Sequence, residues 1–261
     1  MADNSSGGVA LRTRGLRRDF RGFRAVDGVD LDVAPGSLHA LVGPNGAGKT
    51  TLFNLLTGFL RPSSGTIHLV EGDQETDIAG SPPDRIAALG VARSFQITSL
   101  FEQLTAREHV ELALASRTSL GRKFWVSERV LSRFRDRAGE SLDHVGLARL
   151  AERPAGSLAY GQKRALELAL ALALDPKVML LDEPTAGMGL EDVERTVELI
   201  RRVRAGRTVV LVEHNMSVVG SLAERVTVMQ RGQVLVEGPY EQVRRDERVV
   251  TAYLGDPSAH R

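Results

Sequence analysis

Cysteine is absent from all 261 residues. That excludes disulfides and thiolate-ligated zinc, and it suits a reducing compartment. Long apolar runs are absent too: none approaches the ~20 residues that span a bilayer. The longest, Ala165 to Leu174, contains Glu167 and stops at Asp175-Pro176. Charge of one sign is not in excess, and a net charge of +1 predicts no strong steering toward nucleic acid or anionic lipid. The opening Met-Ala-Asp-Asn-Ser-Ser-Gly-Gly has neither the basic nor the apolar segment of a secretory signal. Residues 1–9 and 256–261 read as polar tails. No internal repeat and no long low-complexity linker appears. What remains is an ordinary globular composition, 42% hydrophobic and 26% charged, in a chain long enough for one large domain or two small ones.

Against that background one stretch stands out: Gly43-Pro44-Asn45-Gly46-Ala47-Gly48-Lys49-Thr50, followed by Thr51. Leu38, Ala40, Leu41 and Val42 predict a strand before it, and Leu52, Phe53, Leu55 and Leu56 a helix after it. A glycine loop between strand and helix N-terminus leaves converging backbone N–H groups that, with the helix dipole, form a nest for phosphate oxygens. Lys49 is expected to reach the β- and γ-phosphates and the Thr50 hydroxyl to ligate Mg²⁺.

The rest of the chain alternates in character. Val26 to Val33 alternates apolar and polar residues, the pattern of a half-buried strand. Thr66 to Val70 is another strand, and Glu71 to Pro83 reads as polar and turn-rich. From Glu102 to Leu174 strand signals fade and helical periodicity takes over, predicting a helical insertion. Val126, Val130 and Phe134 share a helix face there, with Arg129, Arg133, Arg135 and Arg137 largely off it. The basic face reads first as solvated, and second as a surface for a partner or lipid headgroups. Val178 to Leu181 is a continuous apolar run, as expected of a strand buried on both faces, and Thr208 to Val212 reads as a second buried strand. Asp192 to Arg204 is an amphipathic helix, and Val226 to Met229 and Val234 to Val236 flank a turn at Arg231-Gly232. Strand–helix alternation around a phosphate loop predicts an α/β fold with a largely parallel sheet and the ligand at the strand C-termini.

Four further stretches carry candidate chemistry. The strand Val178 to Leu181 ends in Asp182-Glu183. Neighbouring residues on a strand point to opposite sides, so the pair should divide the work: Asp182 on Mg²⁺, Glu183 on the attacking water. Gln96, in Arg93-Ser94-Phe95-Gln96, is placed to complete the Mg²⁺ shell and orient water, although a surface Gln is the default reading. Leu158-Ala159-Tyr160-Gly161-Gln162 precedes a helix that is apolar nearly all round and must be buried. Its N-terminus is a second anion site, which suggests that one of the two serves a neighbouring subunit. His214, in Val212-Glu213-His214-Asn215, is either a structural histidine or a contact to the γ-phosphate.

Taken together and in this order, these residues resemble the ATP-binding cassette (ABC) transporter family, over about Leu11 to Gly255. Leu-Ala-Tyr-Gly-Gln at 158–162, Ala186-Gly187-Met188, Glu213-His214-Asn215-Met216 and the ending Ala252-Tyr253-Leu254-Gly255 look most like the LivG-type subunits of branched-chain amino acid importers. The urea and amide importer subunits are similar, and export is the alternative direction. The resemblance implies one cassette over 10–255: a P-loop NTPase (RecA-like) core with an antiparallel β subdomain in 10–95 and 170–255, and a helical subdomain in 96–169. It implies ATP and Mg²⁺ as ligands, with Phe20 (or nearby Phe23) stacked on adenine. Residues 43–51, Gln96, Asp182, Glu183 and His214 would form the chain's own site, and residues 158–162 would complete a partner's. It implies a head-to-tail pair of cassettes on the cytoplasmic face of the membrane. Two permease subunits would join them, with an extracytoplasmic solute-binding protein acting indirectly and no nucleic acid. A soluble ABC protein acting on ribosomes or DNA usually fuses two cassettes or inserts long coiled coils, which this chain does not. A P-loop GTPase carries Asn-Lys-x-Asp, which is missing here. Two departures bear on the partner: Ala159 stands where the general signature has Ser, and Gly189 where Asp or Asn is usual. Both favour a heterodimer over a homodimer.

Overall fold

The computed structural model describes residues 10–94, 100–116 and 132–254. Two sheets organise the described chain. The strands β1 (Leu11–Phe20), β2 (Phe23–Val33), β4 (Ser64–Glu71) and β5 (Gln74–Asp77) form an antiparallel sheet in the order β2-β1-β4-β5. The second sheet contains β3 (Leu38–Val42), β6 (Val91–Arg93), β7 (Val178–Asp182), β8 (Thr208–Val212), β9 (Arg225–Gln230) and β10 (Gln233–Gly238), ordered β10-β9-β3-β8-β7-β6. All its pairings are parallel except the β9–β10 hairpin.

The apolar runs of the sequence explain why the second sheet lies inside. Strand side chains alternate faces, and both faces of β7 and β8 are covered. Met179, Leu181, Val209 and Leu211 enter one core, whereas Val178, Leu180, Val210 and Val212 enter the other. The first core is closed by α3 (Ala106–Ser116), α4 (Arg135–His144), α5 (Tyr160–Ala173) and α6 (Leu190–Val203). The second is closed by α1 (Lys49–Leu56), whose Leu52, Phe53, Leu55 and Leu56 are fully buried, and by the antiparallel sheet. The remaining helices are short: α2 (Pro83–Ala88), α7 (Met216–Leu222), α8 (Tyr240–Val243) and α9 (Glu247–Leu254). From 100 to 173 every described regular element is helical, apart from a single bridge between Thr105 and Pro154. Among the described residues no helix is long and apolar enough to cross a membrane.

Two strands depart from the sequence expectation. Residues 71–83 contain β5, all four of whose residues are exposed, so no apolar alternation marks it. In β1 the pairing with β2 shifts register between Thr13 and Leu16 and again between Leu16 and Arg18; such bulges break the period of two. Of the proposed basic helix, Val126, Arg129 and Val130 lie outside the described residues. Phe134 ends a short 3-10 turn and packs against the first core.

Candidate active site

The site is built where parallel strands end. After β3 the chain turns through residues 43–48 and enters α1. Two glycines in this turn are obligatory for steric reasons as well as for their positive φ. A Cβ on Gly43 (φ 149) would lie 2.2 Å from the Met229 carbonyl oxygen, and one on Gly48 (φ 101) would lie 2.4 Å from that of Ala25. The turn between β9 and β10 buttresses the loop from behind. Gly232 N–H donates to the Ala47 carbonyl at 3.0 Å, and Asp27 N–H donates to that of Gly232 at 2.8 Å. The loop is thereby held between both sheets.

Lys49 is 5% exposed and donates through Nζ to the carbonyls of Gly43 (2.7 Å) and Pro44 (3.1 Å). Burial pushes its pKa down, opposed by the negative charges of Glu183 and Asp182.

Asp182 ends β7 and Glu183 lies just beyond it, so strand alternation does not reach Glu183, and the two side chains take different partners. Asp182 Oδ2 accepts from Arg93 Nη2 at 2.6 Å, and Arg93 Nη1 donates to Asn54 Oδ1 at 2.6 Å. Arg93 thus joins β6, β7 and α1. The Asp182 N–H donates to Ser94 Oγ at 3.3 Å. Glu183 takes a left-handed backbone, φ 48, a conformation that costs a non-glycine residue roughly 1 kcal/mol. Its N–H donates to the Val212 carbonyl at 2.9 Å, and its carbonyl accepts from Ala186 N–H at 3.1 Å. Its Oε1 lies 2.7 Å from His214 Nε2. Both side chains are about two-fifths exposed, open to a reacting water.

The segment 158–162 meets none of these groups directly. Ala159 is the N-cap of α5, and its N–H is held by Gln162 Oε1 at 3.0 Å. Ala159, Tyr160, Gly161 and Gln162 line a cleft of about 340 Å³ toward α6. The link to the turn that carries Glu183 is Tyr160, whose hydroxyl donates to the Ala186 carbonyl at 2.9 Å. Phe20 ends β1 opposite Phe23, 37% exposed, with the Arg18 guanidinium 4.5 Å above its ring. Gln96 lies outside the described residues. Sequence reasoning passed over Arg93, Asn54, Thr185 and Glu213 as site residues. Arg93 and Glu213 stood inside quoted stretches, but their partners are remote along the chain.

Among the described residues no cluster of three or more acidic or histidine side chains could cage a metal. A hydroxyl at Thr50 and a carboxylate at Asp182, beside a phosphate loop, fit Mg²⁺ instead. That ion typically takes one or two protein oxygens and completes its shell with substrate phosphates and water.

A parallel sheet, a phosphate loop at its carboxyl edge and an acidic strand end beside the loop lysine define a P-loop NTPase. Comparison with known proteins narrows the class. The family profile described as ABC transporter matches residues 26–186, and one described as branched-chain amino acid ATP-binding cassette transporter matches 233–259. The high-affinity branched-chain amino acid transport ATP-binding protein LivG of Escherichia coli K12 is 38% identical over 253 residues, 94% of this chain and 98% of LivG. The ADP conformation of MJ1267, an ATP-binding cassette of an ABC transporter, superposes with a TM-score of 0.84 at 30% identity, covering 95% of this chain and all of that one. The dimeric post-hydrolysis state of the cassette MJ0796, bound to ADP and Pi, superposes at 0.71 with 26% identity, over 88% and 98% of the two chains. The chain belongs to the ABC transporter family, and it is a nucleotide-binding ATPase cassette of that family.

Proposed function

We propose that this cassette hydrolyses ATP to drive import of branched-chain amino acids, and that it works as half of a cassette dimer at the cytoplasmic face of a membrane. The observation that carries the hydrolytic reading is the Glu183–His214 pair, 2.7 Å apart, beside a lysine that both carboxylates influence. In-line attack on the γ-phosphorus leaves little covalent work for protein groups, so positioning and charge decide the rate. The loop N–H groups of residues 43–51 cradle the phosphates. Lys49 exchanges the Gly43 and Pro44 carbonyls for phosphate oxygens. Glu183 Oε1 orients or deprotonates the attacking water, and His214 Nε2 then turns to the γ-phosphate. Thr50, Asp182 and Gln96 would hold Mg²⁺, which offsets the charge that develops on the phosphoryl oxygens. Phe20 is assigned to the adenine.

Residues 158–162 are assigned to the nucleotide of a second cassette. They meet no group of this chain's own phosphate site, and dimers form in the related cassette MJ0796. Ala159 and Gly189 favour a partner cassette that carries the usual Ser, with Asp or Asn at the position of Gly189. ATP bridging two cassettes favours the closed pair by differential affinity, and moving a pair from mostly open to mostly closed takes about 5.5 kcal/mol. Similarity to LivG, a branched-chain amino acid transport ATP-binding protein, over almost its full length supports the cargo, and two permease subunits are assigned as the membrane partners.

The test is reconstitution with the two permeases and the partner cassette in vesicles, reading leucine uptake. Wild type should accumulate leucine only with internal ATP. The Glu183→Gln complex should bind ATP and neither hydrolyse it nor transport. Uptake that persists with Glu183→Gln, or none with wild type, would overturn the proposal.

A further inference from the structure

Glu213 is 3% exposed, yet it does not touch the phosphate loop. Its carboxylate is saturated by donors from two turns. Oε1 accepts from Thr185 N–H at 3.0 Å and from Thr185 Oγ1 at 2.6 Å. Oε2 accepts from His214 N–H at 3.0 Å and Asn215 N–H at 3.3 Å. Thr185 is two residues beyond Glu183, in the turn closed by the Ala186 N–H to the Glu183 carbonyl. Asn215 in turn caps α7 through Oδ1, which accepts from Ser217 and Val218 N–H. One buried carboxylate thus fastens the turn that carries Glu183 to the turn that carries His214.

We infer that Glu213 is a positioning residue for ATP hydrolysis, setting the distance between Glu183 and His214 by clasping their two turns. The inference rests on the hydrolytic reading given above. The chemistry demands a carboxylate. Four donors converge on it, and an ionised carboxylate is acceptor-only at both oxygens. Glutamine at this position keeps the volume but presents an NH₂ to one of the two donor pairs. That pair then loses its acceptor in a buried place, so one turn disengages. Glu183 keeps its own N–H bond to the Val212 carbonyl, so what the freed turn loses is its register against His214. The phosphate loop hangs from β3, β2 and the β9–β10 turn and does not depend on the clasp.

The experiment compares Glu213→Gln, His214→Ala, the double variant and Glu183→Gln, measuring ATP affinity and steady-state turnover. Glu213→Gln should bind ATP within about twofold of wild type while kcat falls about tenfold or more with KM little changed. Because Glu213 sets the distance between Glu183 and His214, and that distance has no meaning once His214 is removed, the double variant should be no slower than His214→Ala beyond about twofold. Multiplying effects, or wild-type turnover in Glu213→Gln while Glu183→Gln is dead, would overturn the assignment. An active Glu183→Gln would instead overturn the hydrolytic reading, and the clasp with it. Should Glu213→Gln fail to fold, Thr185→Val removes one donor alone and should lower kcat a few-fold with ATP affinity retained; unchanged kcat there would refute the clasp.

Discussion

Replacing Glu167 by glutamine should stabilise the protein, and increasingly so as pH rises. Glu167 lies on α5 and is 3% exposed. Its Oε2 accepts from Arg164 Nη1 at 3.0 Å, while Oε1 is buried without a partner. Burial pushes its pKa up from 4.5 to about 7, against the pull of the Arg164 charge. The folded chain therefore keeps a proton that the unfolded chain has released. The sign follows from that difference. Below pH 4.5 both states are protonated and nothing is lost; from there to about pH 7 stability falls as pH rises, and above it the loss is complete. At about 1.4 kcal/mol per pKa unit the full loss is about 3 kcal/mol. Glutamine is uncharged and nearly isosteric. It forgoes about 1 kcal/mol of charge-assisted bonding to Arg164, so Glu167→Gln should exceed wild type by about 2 kcal/mol near pH 8 and match it or fall below near pH 5. Urea unfolding followed by circular dichroism across that range measures the difference directly, and other titrating groups cancel between the two proteins. A gap that stays constant with pH would refute the buried, protonated carboxyl.

Three other substitutions probe the site. Lys49→Ala should weaken ATP binding by about a hundredfold or more, from the loss of a buried charge-assisted donor, and calorimetric titration with MgATP reads this; unchanged affinity would contradict the phosphate-loop assignment. Gly48→Ala sets a methyl 2.4 Å from the Ala25 carbonyl oxygen at φ 101, and should cost about 3 kcal/mol or more in thermal unfolding. Ala159→Ser supplies the missing N-cap acceptor of α5 and should add about 1 kcal/mol of stability; a rise in ATPase activity of the purified chain alongside it would mark the hydroxyl as limiting across the dimer.

The parts of this architecture that read clearly in the sequence are those whose physics is local. β3, β7 and β8 are mostly apolar runs because both their faces are buried, broken only by His39, Asp182 and Thr208. The phosphate loop is contiguous, so its glycines, lysine and threonines are legible together. β1 was hidden by its bulges and β5 by its exposure. The wiring of the site was hidden for a different reason. Arg93 meets Asp182 across 89 positions, and Glu213 meets Thr185 across 28. No local periodicity encodes such pairs, which exist only once parallel strands bring their ends level. Glu167 shows the same limit, since it interrupts an apolar helix and its environment is set by what packs on it.

The buttress behind the phosphate loop has a consequence for biosynthesis. Residues 43–50 leave the ribosome early, but the neighbours of β3 in the sheet are β8 and β9, and the loop leans on Met229 and Gly232. A nascent chain stopped before that hairpin has the motif without its scaffold, so nucleotide cannot rescue a half-made polypeptide by binding it. The order of synthesis makes this a slow, non-local assembly, with ATP capture deferred until nearly the whole chain has emerged.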